Sequence, residues 1–145
     1  MYPFYLELEL VKPVVDYFKK QGHVVKREVR IGFCRADIVA FKEGKVTAVE
    51  LKLNDWKKAI VQAKNYQLGT DFVYLAFPLM KSFNVLRKAE VTLKKEGIGL
   101  LTVNEETCKV SKIIDASQSR RTMGTINLEE LKRNWKKRSK MKLFR

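Results

Sequence analysis

Residues 36–53 read Ala36-Asp37-Ile38-Val39-Ala40-Phe41-Lys42-Glu43-Gly44-Lys45-Val46-Thr47-Ala48-Val49-Glu50-Leu51-Lys52-Leu53. Two largely apolar runs flank a Lys-Glu-Gly-Lys connection, which predicts a β-hairpin. The strand period of two puts Val46, Ala48, Glu50 and Lys52 on one side and Thr47, Val49, Leu51 and Leu53 on the other. Both sides are mostly apolar, so the strand is expected to be buried on both faces, and its two charges need a reason. A two-residue Glu43-Gly44 turn and a symmetric four-residue loop set the same register: Phe41 opposes Val46, Val39 opposes Ala48, and Asp37 opposes Glu50. A three- or five-residue loop would shift that register and separate the two acids. Carboxylates opposed across a sheet repel, and burying them unpaired costs several kcal/mol, so the pair points to a cation between them. Oxygen-only donors favour Mg²⁺ or Mn²⁺ over zinc.

Outward from the hairpin, one helix precedes it and helices alternate with strands after it. Residues 4–21 carry Leu6, Leu10, Val14 and Phe18 at helical spacing with Gly22 as the stop, and Pro13 either kinks this helix or marks its true start nearby. Val24–Ile31 alternates as a strand and Gly32 breaks it. Asn54-Asp55 supplies an N-cap for a helix over 56–68 that Gly69 ends. The apolar run 72–77, closed by Pro78, suits a central strand; Ser82 opens a helix ending at Gly97, and 98–103 is a further strand. The order α-β-β-β-α-β-α-β predicts an α/β fold with right-handed parallel crossovers and a mixed central sheet flanked by helices. Beyond Asn104, residues 109–114 suit an edge strand, 118–125 a loop, and Asn127 caps a final helix whose apolar stripe is only Leu128, Leu131 and Trp135. The expected division is a core domain over 1–117 and a basic, partly helical C-terminal extension over 118–145.

At 145 residues and 46% hydrophobic, the chain suits one globular domain. Its apolar runs are too short to span a bilayer, and its first residues lack a basic n-region and a small-residue cleavage site, so a cytoplasmic protein with no membrane partner is expected. Cys34 and Cys108 form no CxxC pattern and read as ordinary core or strand residues; with His23 the single histidine, no zinc site is expected. Lys and Arg number 30 against 16 acids, a net charge of +14, which makes a polyanion, and nucleic acid first, the expected partner. Ten of the basic residues lie in 118–145 (Arg120, Arg121, Lys132, Arg133, Lys136, Lys137, Arg138, Lys140, Lys142 and Arg145) against only Glu129 and Glu130. Lys57 and Lys58, at the start of the 56–68 helix, are further candidates for phosphate contacts.

Asp37, twelve intervening residues and then Glu50-Leu51-Lys52 resembles the PD-(D/E)XK nuclease superfamily, whose restriction-endonuclease-like core has a similar order of elements. Gln62-Ala63-Lys64-Asn65-Tyr66 is similar to the QxxxY motif of RecB-like members, and residues four apart on a helix face the same way. Ala36 stands where the family has Pro. The resemblance covers residues 6–103. It implies that Asp37 and Glu50 bind Mg²⁺ or Mn²⁺ with the Leu51 carbonyl, and that Lys52 stabilises charge or orients the attacking water. It places Gln62 and Tyr66 in the catalytic set, and brings a first-helix glutamate, here Glu7, to the metal. It further implies a deoxyribonuclease, endonucleolytic, acting in repair, recombination or defence. RNA is left open as a substrate, and a homodimer as an assembly, since many small members dimerise to cut both strands. The residues support this chemistry without the name: phosphodiester hydrolysis needs a metal to acidify water and shield the phosphate, and a cation to meet the charge that grows in the transition state. The alternative is a non-catalytic nucleic-acid-binding subunit on the same fold, which has no use for opposed carboxylates where phosphate must enter.

Overall fold

The computed structural model describes residues 3–120. A 3₁₀ turn (Glu7–Leu10) leads into α1 (Val11–Lys20), followed by β1 (Val24–Ile31), β2 (Cys34–Lys42), β3 (Lys45–Leu51), α2 (Trp56–Gln67), β4 (Phe72–Pro78), α3 (Leu79–Glu96), β5 (Gly99–Val103) and β6 (Val110–Ile114). The six strands form one sheet in sequence order. β1, β2 and β3 make an antiparallel meander, β3, β4 and β5 run parallel through the α2 and α3 crossovers, and β6 returns antiparallel on β5. One face is covered by Leu10, Val14 and Phe18, packed on Ile38, Ala40, Val49, Leu51, Ala76 and Leu101. The other is covered by Ala59, Ala63 and Tyr66 of α2 and Val85, Ala89 and Leu93 of α3, packed on Val39, Val46, Ala48, Val73 and Leu75. This is the mixed sheet with flanking helices that the order α-β-β-β-α-β-α-β leads one to expect. Among the described residues, no helix is long and apolar enough to cross a membrane.

The β2–β3 hairpin closes through a two-residue turn, with Lys42 paired to Lys45 and positive φ at both Glu43 (52°) and Gly44 (78°), as the strand twist requires of so short a connection. Its register runs Phe41↔Val46 and Val39↔Ala48 to Ile38↔Val49.

Several element boundaries differ from those expected. The first helix does not span 4–21: it starts at Val11, which puts Pro13 in the first turn, where its missing N–H has no partner to lose. The preceding 3₁₀ turn is held by Glu9, whose Oε1 accepts the N–H groups of Tyr5 (2.9 Å) and Leu6 (2.8 Å). α3 begins at Leu79, three residues before Ser82, because Pro78 itself occupies the N-cap with extended backbone; the Ser82 hydroxyl donates instead to the Leu79 carbonyl at 2.6 Å. β3 ends at Leu51 rather than Leu53, although the Lys52 N–H still donates to the Ala76 carbonyl (3.0 Å). Cys108 is no core residue but is exposed in a turn, with φ of 61°.

Candidate active site

Asp37 lies one step beyond the last β2–β3 ladder pair. There the alternation of inward and outward side chains inverts. Val29, Ile31, Cys34 and Ala36 pack in the cluster beneath α2 and α3, whereas Val25, Ile38 and Ala40 belong to the α1 face. Glu28, which faces Asp37 between the pairs Arg27↔Ile38 and Val29↔Ala36, has φ of 53°, so both strands turn over at this step. The Asp37 carboxylate is anchored on the backbone of β3: the Leu51 N–H donates to its Oδ2 at 2.8 Å.

Glu50 is only 3% exposed. The Tyr66 hydroxyl donates to its Oε1 at 2.8 Å, and Lys52 Nζ stands 3.6 Å from its Oε2. Burial, and then the charge and hydrogen-bonding proximity of Asp37, push the Glu50 carboxyl up to about 7. The same burial, reinforced by Glu50, raises the Tyr66 hydroxyl far above its ordinary value, so Tyr66 stays a donor. Its oxygen is also 2.9 Å from the Arg35 carbonyl. A single hydroxyl proton serves one of these acceptors fully: with Glu50 ionised it goes to the carboxylate, and with Glu50 protonated Tyr66 can receive from Glu50 and donate to Arg35.

The structure thus brings together Asp37, Glu50, Leu51, Lys52 and Tyr66. Gln62 lies one helical turn before Tyr66, with its Oε1 buried and without a hydrogen-bond partner. Glu7 is not brought into the set. It sits in the 3₁₀ turn that leads onto the α1 face, exposed, with its Oε2 3.4 Å from the Leu53 N–H. Among the described residues, no three His, Cys, Asp or Glu side chains gather into a metal-ligand group. The two carboxylates are nonetheless hard oxygen donors suited to Mg²⁺ or Mn²⁺, and a cation there would relieve the repulsion between buried Glu50 and half-buried Asp37.

Lys57 and Lys58 are exposed on the first turn of α2, which Asp55 caps by accepting the Lys58 N–H at 3.2 Å. Trp56 packs into the α2-side cluster, with Lys57 Nζ 5.6 Å from its ring centroid. Arg120 is exposed at the other end of α2, lining a groove with Lys64, Lys94 and Lys95. Arg121, Lys132, Arg133, Lys136, Lys137 and Arg138, and the expected last helix, lie outside the described residues. The partners that sequence reading missed are backbone groups, the Leu51 N–H and the Arg35 carbonyl, which carry no residue-type signal.

No protein-family model matches the chain, and no curated protein matches it. Among solved structures it is similar to an XisH family protein from Nostoc punctiforme, at 23% identity over 74% of this chain and 97% of that one, with a TM-score of 0.55. It also matches SfsA from Pyrococcus furiosus in complex with Ca²⁺, at 14% identity over 74% of this chain and 59% of that one, with a TM-score of 0.33. The likeness to the XisH family protein spans nearly all of that chain, so the sheet and helices that position Asp37, Glu50 and Lys52 belong to a fold the two proteins share.

Proposed function

We propose that the chain is a divalent-metal-dependent nuclease that hydrolyses phosphodiester bonds within DNA strands, with Asp37, Glu50 and Lys52 as its catalytic set. The observation that carries this is the acid pair: Glu50, 3% exposed, stands beside the half-buried Asp37, with Lys52 Nζ 3.6 Å away. Two acids placed together inside a protein destabilise it unless a cation joins them. Asp37, Glu50 and the Leu51 carbonyl would hold Mg²⁺ or Mn²⁺, which when bound supplies a more acidic water and shields the phosphate charge. The chain's own groups do the positioning. The Leu51 N–H fixes Asp37 and the Tyr66 hydroxyl fixes Glu50, so neither carboxylate has to reorganise during the reaction. Lys52, mostly buried and steered by Glu50, presents an ammonium to the charge that develops on the phosphate. The unpartnered Gln62 Oε1 is an acceptor left for a water or substrate donor. Repair, recombination or defence against foreign DNA is the setting such an activity fits.

That only two carboxylates gather among the described residues favours a second reading, a nucleic-acid-binding subunit without turnover. Labelled duplex, flap, junction and single-stranded DNA, and RNA, incubated with and without Mg²⁺ or Mn²⁺, separate the two. Metal-dependent cleavage that Glu50→Ala abolishes supports the nuclease. Binding without cleavage, equal in wild type and Glu50→Ala, supports the subunit and removes the catalytic assignment.

A further inference from the structure

β3 pairs with β2 only from Ile38 onward, so β1 and β2 continue past the candidate site as a two-stranded arm. Its pairs are Val29↔Ala36, Arg30↔Arg35 and Ile31↔Cys34, and Gly32-Phe33 forms the tip, with φ of 59° at Gly32. Phe33 is 93% exposed. Ile31 and Cys34 pack down into the cluster beneath α2 and α3, so Arg30 and Arg35 take the arm's other face, side by side and exposed. Among the described residues neither has an acidic partner. Opposed like charges and a solvated phenyl ring each cost stability in isolation. A nucleic-acid strand relieves both, with phosphate against guanidinium and a base face against the ring. The arm also lies against the site, since the Arg35 carbonyl stands 2.9 Å from the Tyr66 hydroxyl that it shares with Glu50.

We infer that this hairpin is a substrate finger: Phe33 stacks on an unpaired base while Arg30 and Arg35 hold neighbouring phosphates. The inference rests on the nuclease reading above and narrows its substrate to DNA that is open near the cut. In an intact duplex both faces of each base are already stacked, so the ring finds a partner only where the strand is unpaired. Phe33 and Asp37 are four residues apart on one strand, about 13 Å at about 3.3 Å per residue. That is about four nucleotides at the stacked spacing of about 3.4 Å.

The test is fluorescence anisotropy of the full chain, without divalent metal so that nothing is cut, on a fully paired duplex and on the same duplex with a single-stranded tail. Phe33→Ala should weaken binding to the tailed DNA about tenfold and leave the paired duplex within about twofold. A single abasic site scanned along the tail should cost wild type about tenfold at one position and cost Phe33→Ala nothing further there. Arg30→Gln should weaken both DNAs and reduce the slope of log affinity against log salt by about one, while its melting temperature holds or rises because the like-charge pair is gone. If Phe33→Ala binds tailed DNA as tightly as wild type, the finger is overturned, and wild-type cleavage then leaves the nuclease reading standing. Wild type that neither binds nor cuts overturns both. A change in the sedimenting mass of Phe33→Ala with unchanged DNA binding overturns the finger and assigns the tip to contact between copies of the chain.

Discussion

The Tyr66 hydroxyl stands between the Glu50 carboxylate at 2.8 Å and the Arg35 carbonyl at 2.9 Å, so the proton on Glu50 decides which of them it serves. Burial first, and Asp37 second, raise Glu50 from an ordinary 4.5 to about 7. Between those values the native state holds a proton that the unfolded chain has released. The contribution of this carboxyl to the stability of the metal-free protein is therefore fully present below about 4.5, falls as pH rises towards about 7, and levels off above. At about 1.4 kcal/mol per unit the loss is about 3 kcal/mol, visible as a lower urea midpoint in EDTA at about pH 8 than at about pH 5. Asp37→Asn keeps an acceptor for the Leu51 N–H but removes the second charge. It should raise the metal-free melting temperature at about pH 8 and leave part of the pH dependence, because burial is the larger cause. Mg²⁺ should stabilise wild type and lose most of that effect in Asp37→Asn; equal shifts would mean that the two acids share no ion. On activity, Asp37→Ala, Glu50→Ala and Lys52→Ala should each reduce metal-dependent cleavage about a hundredfold or more in single-turnover assays. Double variants should be scarcely worse than single ones, because the three act as a unit.

At the scale of elements, β4 and β5 meet where Tyr74 faces Gly99. A Cβ at Gly99 would stand 2.2 Å from the Tyr74 ring and 2.9 Å from the Ala116 nitrogen. Gly99→Ala should therefore destabilise the fold by at least about 1–3 kcal/mol, read from its denaturant midpoint, since the Ala116 backbone cannot swing aside as a side chain would. The central hairpin was legible in the sequence because alternation and turn chemistry agree: a two-residue turn and a symmetric four-residue loop both bring Phe41 against Val46, and Gly44 tolerates the positive φ the observed turn needs. The start of α3 was hidden because Pro78 caps it through backbone conformation, not through a side chain. The local conformation at Glu7 was hidden as well: its segment is a 3₁₀ turn rather than the first turns of α1, with the carboxylate 3.4 Å from the Leu53 N–H. The turnover of β1 and β2 at Glu28 and Asp37 was invisible for a similar reason: a glutamate at positive φ announces nothing in the sequence. The nearness of Asp37 to Glu50 was legible from the hairpin register that leads up to them, while the groups that anchor Asp37 and share Tyr66 belong to the backbone.

Across the whole molecule, the net charge of +14 is concentrated at one end of the chain, and the fold decides where that end begins. The Ser117 N–H donates to the Gly97 carbonyl and the Ser119 N–H to the Asp71 carbonyl, which holds this segment against the starts of β4 and β5. Glu50 lies near the opposite end of the parallel strands, towards the close of β3. From Val46, whose carbonyl accepts the Asp71 N–H, to Glu50 is four residues, about 13 Å along β3 at about 3.3 Å each, so the Ser119 anchor lies that far along the sheet from the candidate site. Exchanging Lys132, Arg133, Lys136, Lys137 and Arg138 for Gln should weaken DNA binding regardless of sequence, and should lower the slope of log affinity against log salt by about 0.9 for every duplex phosphate the variant no longer neutralises. Cleavage should survive at low salt with saturating protein and drop near physiological salt, because the catalytic set is untouched. A melting curve matching wild type must come first, since Leu128, Leu131 and Trp135 lie on the same segment. An unchanged salt slope in the folded variant would move the phosphate contacts to Lys57, Lys58 and the arginines of the β1–β2 arm.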